Sequence, residues 1–145
     1  MKRYTFWFKT AVVFKLLSGL IHSVSFFETQ TAENETERQM LNLITTYKMD
    51  LGAGFHPTFS NLFTALSSCF TFLCLFAALT NGYLLWKQTE PSVMKGIIAI
   101  NLIVFGAAFA VMAYFTFILP IVCMGLIFIN VLAAFLLVPK IKAVV

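Results

Sequence analysis

The sequence predicts an all-α integral membrane protein, a four-transmembrane-helix bundle with one extra amphipathic surface helix between spans one and two. Three observations predict it. The 145 residues are 60% apolar and only 11% charged, where a soluble domain carries about 25% charged residues. Long stretches carry no charge at all. The charges that remain are sorted by position along the chain. The same composition excludes disorder, a collagen, a coiled coil and a disulfide-stapled secreted domain.

A helix that crosses the hydrocarbon needs about 20 mostly apolar residues at about 1.5 Å each. The first such stretch runs from about Thr5 to Phe27. Its basic start (Lys2, Arg3) and Ser23-Val24-Ser25 resemble a signal peptide faintly. Lys15 interrupts the apolar region, so the expectation is a retained span. The second runs from about Asn61 to Trp86. The third and fourth share the uncharged Gly96–Pro139 stretch of 44 residues, about 66 Å as one helix. It must fold as a hairpin. Pro120 marks the predicted turn, because proline suits the first turn of a helix and disfavours its interior. The two spans are then about 96–117 and 120–138.

Four spans put three regions on one side: Lys2, Arg3 and Lys9, then Lys87 and Lys95, then Lys140 and Lys142. That side holds seven of the ten basic residues and one acid, Glu90. The opposite loop holds Glu28, Glu33, Glu35, Glu37 and Asp50 against Arg38 and Lys48. The positive-inside rule makes both termini cytoplasmic, with a bacterial inner membrane as the expected location. The net charge of +4 is then a topology signal. Nucleic-acid binding is not expected, since it would need a basic stripe on a soluble scaffold.

The loop from Glu28 to Thr58 is the one sizeable region outside the spans. Asn34 and Glu37 have capping-box spacing, in which each side chain meets the other residue's backbone N–H. Met40, Leu43, Ile44, Tyr47 and Leu51 follow at helical spacing. Gly52 and Gly54 end the pattern, and Pro57 opens the next segment. The prediction is an amphipathic helix over about 34–50, lying on the membrane surface or on the bundle. It is either a lid over a pocket or a connector that packs down. Asn34-Glu35-Thr36 also matches a glycosylation sequon.

Polar groups in hydrocarbon must find partners, so they are the candidate site residues. Lys15, Ser18, Gly19 and His22 share one face of span one. Asn61, Thr64, Ser68 and Thr71 share one face of span two. Asn101 and Asn130 lie within spans three and four. Together they suggest a polar seam of Lys15, Ser18, His22, Asn61, Ser68, Asn101 and Asn130. Lys15 either snorkels toward the cytoplasmic interface or is a buried cation, with no acid in any span to pair with it. His22 and His56 lie toward the same side and could ligate a metal or haem. No third ligand is evident, so the expectation is no metal and no cofactor. From the loop, Glu37, Arg38, Asp50 and His56 are further candidates.

Cys69, Cys74 and Cys123 all fall in spans, without a Cys-x-x-Cys, and read as inert thiols. There is no Gly-rich phosphate loop, His-Glu-x-x-His or Gly-x-Ser-x-Gly. Ala78 and Gly82, and Gly106 and Ala110, have small-xxx-small spacing that permits close helix contact.

His22 near the end of span one, then Thr36-Glu37-Arg38-Gln39, Asp50-Leu51-Gly52-Ala53-Gly54-Phe55 and Asn61-Leu62-Phe63, form a pattern over most of the chain. It resembles a group of uncharacterised small bacterial membrane proteins. The resemblance implies a small four-helix membrane protein and carries over no established activity. In size and span count the chain is also similar to the DoxX-type proteins. It resembles the glutathione-linked MAPEG enzymes in length but lacks their Arg- and Asn-containing signature.

Three functions are therefore open. The leading one is non-enzymatic packing with a second copy or another membrane protein, in contact with membrane lipid. The second is a pocket for a lipid, quinone or other apolar ligand, capped by the surface helix, with His22, Asn61 and Ser68 as polar contacts. The third is a membrane enzyme using His22 with Glu37, Asp50 or His56.

Overall fold

The computed structural model describes residues 3–27 and 31–139. Lys2, Glu28, Lys140 and Lys142, which enter the charge-sidedness argument, lie outside the described residues. The described residues form helices α1 (Arg3–Val24), α2 (Glu35–Thr46), α3 (Phe59–Trp86), α4 (Pro91–Phe115) and α5 (Ile118–Leu137), with a single 3-10 turn at Ser25–Phe27 after α1. The fold is all-α. Four of the helices, all but α2, are long and apolar enough to cross a membrane. Close backbone approaches group the chain into two compact units, residues 1–18 with 74–145, and residues 19–73.

In the first unit the buried positions recur three and four residues apart on every helix. They are Tyr4, Phe8, Ala11, Lys15 and Ser18 on α1, and Cys74, Ala78 and Asn81 on α3. On α4 they are Met94, Ile98, Asn101 and Phe105, and on α5 Met124, Ile127, Val131 and Ala134, with Asn130 buried beside Val131 and Val138 buried at the C-cap. This is the spacing of a helix seam that meets a near-antiparallel neighbour. The outward faces stay apolar, with Phe76, Leu79, Ile103 and Leu136 all exposed.

The α4–α5 hairpin is locked by reciprocal Phe–Gly contacts. A Cβ on Gly106 would meet the Phe128 ring at 3.1 Å, and one on Gly125 would meet the Phe109 ring at 3.2 Å. The two rings stack with centroids 5.8 Å apart. Gly106 therefore serves close packing inside the chain, while Ala110, its partner in the small-xxx-small pair, remains exposed. The turn falls at Thr116–Phe117, ahead of the expected Pro120, and Pro120 is the third residue of α5. A proline there forfeits nothing, because the first turn's N–H groups have no intrahelical partner.

The turn between α3 and α4 is a Schellman-type end. The Thr89 N–H reaches the Leu84 carbonyl at 3.2 Å and the Gln88 N–H reaches the Leu85 carbonyl at 3.2 Å. Gln88 takes the left-handed position at φ +52°, where glycine is usual. Pro91 then opens α4 at its first helical position, five residues before the expected Gly96.

In the second unit α2 ends at Thr46, four residues short of the expected Asp50. The Thr45 and Thr46 hydroxyls donate to carbonyls of the preceding turn. Beyond them the backbone finds partners across the loop: Lys48 and Thr58 form an antiparallel bridge, and the Met49 N–H reaches the Pro57 carbonyl at 2.9 Å. Gly52, Ala53 and Gly54 reverse the chain with φ of +81°, +51° and +79°, and the Asp50 carboxylate accepts the Gly52 N–H at 2.9 Å. The helix start is as the sequence predicts in one half. The Asn34 side chain accepts the Glu37 N–H at 2.9 Å. The Glu37 carboxylate instead meets the Asn34 side-chain amide at 2.9 Å and the Glu33 N–H at 2.8 Å. No residue of α2 is buried, and Met40, Leu43 and Tyr47 of its apolar face are exposed.

Candidate functional site: a buried lysine between two asparagines

The first unit brings together Lys15 of α1, Asn81 of α3 and Asn101 of α4. Each sits on its helix's buried stripe, so the packing that buries Phe8, Ala78 and Ile98 delivers these three polar groups to one place. The Lys15 side chain is 0% exposed. Its Nζ donates to Asn101 Oδ1 at 2.6 Å. Asn81 Nδ2 donates to the same oxygen at 2.8 Å. Asn101 Nδ2 in turn donates to the Ile97 carbonyl at 2.8 Å and lies 3.4 Å from Asn81 Oδ1. The Phe105 and Phe8 rings close over the nitrogen at 4.6 and 5.4 Å to their centroids, in cation–π range.

Lys15 therefore does not snorkel. Its stem turns inward, and no carboxylate of the described residues pairs with it. The Asn101 amide satisfies it with one acceptor oxygen shared between two donors, and both faces of that contact are aromatic. Ser18 is buried one turn further along α1. Asn130 is buried on α5, where its Nδ2 donates to the Leu126 carbonyl at 2.8 Å and its Oδ1 has no partner among the described residues.

The other sequence candidates lie in the second unit and serve local structure. The Thr58 and Asn61 side chains bond to each other, and the Thr58 hydroxyl accepts the Asn61 N–H at 3.2 Å, capping α3. Ser68 donates to the Thr64 carbonyl at 2.7 Å. Arg38 pairs with Glu35 at 2.5 Å on the exposed face of α2. His56 Nδ1 lies 3.9 Å from Asp50 Oδ1, both exposed. His22 packs edge-on against Phe26 and Phe70, with centroids 5.6 and 5.0 Å away. Its Nε2 and the Thr71 hydroxyl are buried without partners among the described residues. No three His, Cys, Asp or Glu side chains of the described residues are grouped to hold a metal. The three cysteines are free thiols.

Asn81 is the one member of the cluster that the polar-face reading of span two missed. Its signal lay in another pattern: Cys74, Ala78, Asn81 and Gly82 fall on one face at helical spacing, and two of them had already been singled out as small contact residues.

The fold and this cluster define an all-α protein with four helices of membrane-spanning length and apolarity, joined in part by a buried Lys–Asn–Asn contact. Compared with known protein families, with characterised proteins and with solved structures, the chain matches none.

Proposed function

We propose that this chain is a small integral membrane protein that acts without catalysis, by packing with copies of itself or with another membrane protein. One observation carries the reading. The most costly polar group in the spans, Lys15, is sealed between Asn101, Phe8 and Phe105, and interhelical bonding of this kind holds helices together. Among the described residues its one hydrogen-bond partner is the Asn101 amide oxygen, neither an acid nor a hydroxyl. In this reading both termini are cytoplasmic, in a bacterial inner membrane, as the seven basic residues of one side favour. The surface presented to partners and to lipid is then the outward apolar face of the spans.

The test is native mass spectrometry of the protein released from nanodiscs. A homo-oligomer, or a co-purifying membrane protein in fixed ratio, is the expected result. A bare monomer at every protein-to-lipid ratio overturns the reading.

A second reading is favoured by the two orphaned polar atoms of the second unit, His22 Nε2 and Thr71 Oγ1. Buried polar atoms are ordinarily satisfied. An apolar ligand carrying a carbonyl or hydroxyl would satisfy them. His22→Phe should then release that ligand in the same measurement, and a ligand mass unchanged by the substitution counts against it.

A further inference from the structure

Outside the lysine cluster, the first unit carries a cleft of about 340 Å³ lined by Tyr4, Thr5, Lys9, Leu84, Leu85, Gln88, Thr89 and Met94. It lies where the start of α1, the end of α3 and the start of α4 meet. Two separate observations say what such a cleft suits.

The first is its depth in the membrane. The last turn of α3 carries Tyr83 and Trp86, both exposed, and the Lys87 nitrogen lies 4.9 Å from the Trp86 ring centroid. Exposed Trp and Tyr beside a lysine mark the headgroup level of a span. The cleft opens at that level.

The second is its lining. Lys9 supplies a cation, and no carboxylate of the described residues lines the cleft. Thr5, Tyr4 and Gln88 supply donors, while the Thr89 hydroxyl is already given to the Leu84 carbonyl at 3.0 Å. Leu84 and Leu85 supply apolar surface, with Met94 buried behind them. A cation, neutral donors and apolar side chains in one cleft match an anionic amphiphile. Gln88 adds weight, because it occupies the left-handed turn position at φ +52° that glycine takes freely. A residue held in a disfavoured conformation beside a cleft points to a use for its side chain.

We propose that this cleft binds the phosphate of an anionic phospholipid of the surrounding bilayer, with Lys9 as the charge partner, Gln88 and Thr5 as hydrogen-bond donors, and the first acyl carbons of the lipid against Leu84 and Leu85. The site is independent of the packing reading and of the His22 region.

The experiment reads lipid retention by native mass spectrometry from nanodiscs of equal phosphatidylglycerol and phosphatidylcholine. The wild-type chain keeps one phosphatidylglycerol preferentially. Lys9→Gln lowers that preference about fivefold, the effect of one lysine at an anionic surface. Gln88→Gly lowers it as well while holding or raising thermal stability, since glycine suits the turn. That variant cannot lose lipid by unfolding. Lys87→Gln, which lies at the same level but outside the cleft, lowers the preference by less than Lys9→Gln does. Equal retention of both lipids by the wild type, or an unchanged preference in both Lys9→Gln and Gln88→Gly, overturns the proposal. Displacement of the lipid by millimolar inorganic phosphate would make this a site for free anions and overturn the assignment to lipid.

Discussion

Polar side chains within the spanning helices do two different jobs in the two units of this molecule. In the first unit Lys15, Asn81 and Asn101 come from three helices and bond to one another. In the second, Thr64 and Ser68 donate to carbonyls of their own helix, and so does Ser23 to Gly19. The residues lie in similarly apolar sequence. What differs is reach. A serine or threonine hydroxyl is short enough to find the i−4 carbonyl and so needs no neighbour. A lysine nitrogen cannot be satisfied by its own helix and must be met by another. Lys15 thus specifies a tertiary contact and the hydroxyls do not, while amides do either: Asn81 and Asn101 meet across helices, and Asn130 bonds only the Leu126 carbonyl of its own helix.

The largest effect should come from removing the shared acceptor. Asn101→Leu takes away the oxygen that meets both Lys15 and Asn81 and leaves the lysine nitrogen buried beside two phenyl rings. The expected loss is about 3 kcal/mol of stability, read as a lowered midpoint in an unfolding titration in mixed micelles. Lys15→Met should cost far less, about 1 kcal/mol or below. It removes the demanding group and leaves Asn81 bonded to Asn101. Equal losses from the two substitutions would show that the cluster is not organised around the Asn101 oxygen.

An intermediate effect is expected at Asn81. Asn81→Leu deletes the 2.8 Å bond to Asn101 Oδ1 and the longer 3.4 Å one from Asn101 Nδ2, while Asn101 keeps Lys15 and the Ile97 carbonyl. Single interhelical hydrogen bonds in membranes are worth about 1 kcal/mol. A double-mutant cycle of Asn81→Leu with Lys15→Met should show coupling through Asn101, because the two donors share one atom. Strict additivity would separate them.

The architecture could be read from the sequence wherever it rests on an unbroken apolar run. Three apolar runs give the four spanning helices, because the 44-residue Gly96–Pro139 run is too long for one helix and must fold back, and capping chemistry at Asn34 gives α2. The boundaries were harder where two local signals compete. Pro120 suits a turn and equally suits the first turn of a helix, and it takes the second place because the chain already reverses at Thr116–Phe117. The end of α2 depends on the Lys48–Thr58 bridge, a pairing across ten residues that no periodicity announces. In the cluster, Lys15 and Asn101 stood out because ionisable and amide groups are costly in hydrocarbon. Whether Lys15 snorkelled or turned inward depended on an acceptor 86 residues away. Asn81 was hidden among small residues of its own stripe. The orphaned atoms of His22, Thr71 and Asn130 could not be foreseen, since a missing partner is a property of packing.

The smallest effect tests the other half of the comparison. Ser68 is half-buried in α3, and its hydroxyl donates 2.7 Å to the Thr64 carbonyl. That carbonyl already serves the helix backbone, so the side-chain bond is a second claim on an acceptor that is not otherwise vacant. Back-bonding of this kind slightly weakens or bends a helix. Ser68→Ala removes the claim and exposes no unsatisfied group, because donor and side chain leave together. Alanine also has the better helix propensity. The expected change is within about 0.5 kcal/mol and of either sign, measured in the same unfolding titration as Asn101→Leu. A loss above about 1 kcal/mol would mean that Ser68 meets a partner beyond its own helix, and the contrast between Lys15 and the hydroxyls would then fail at this position.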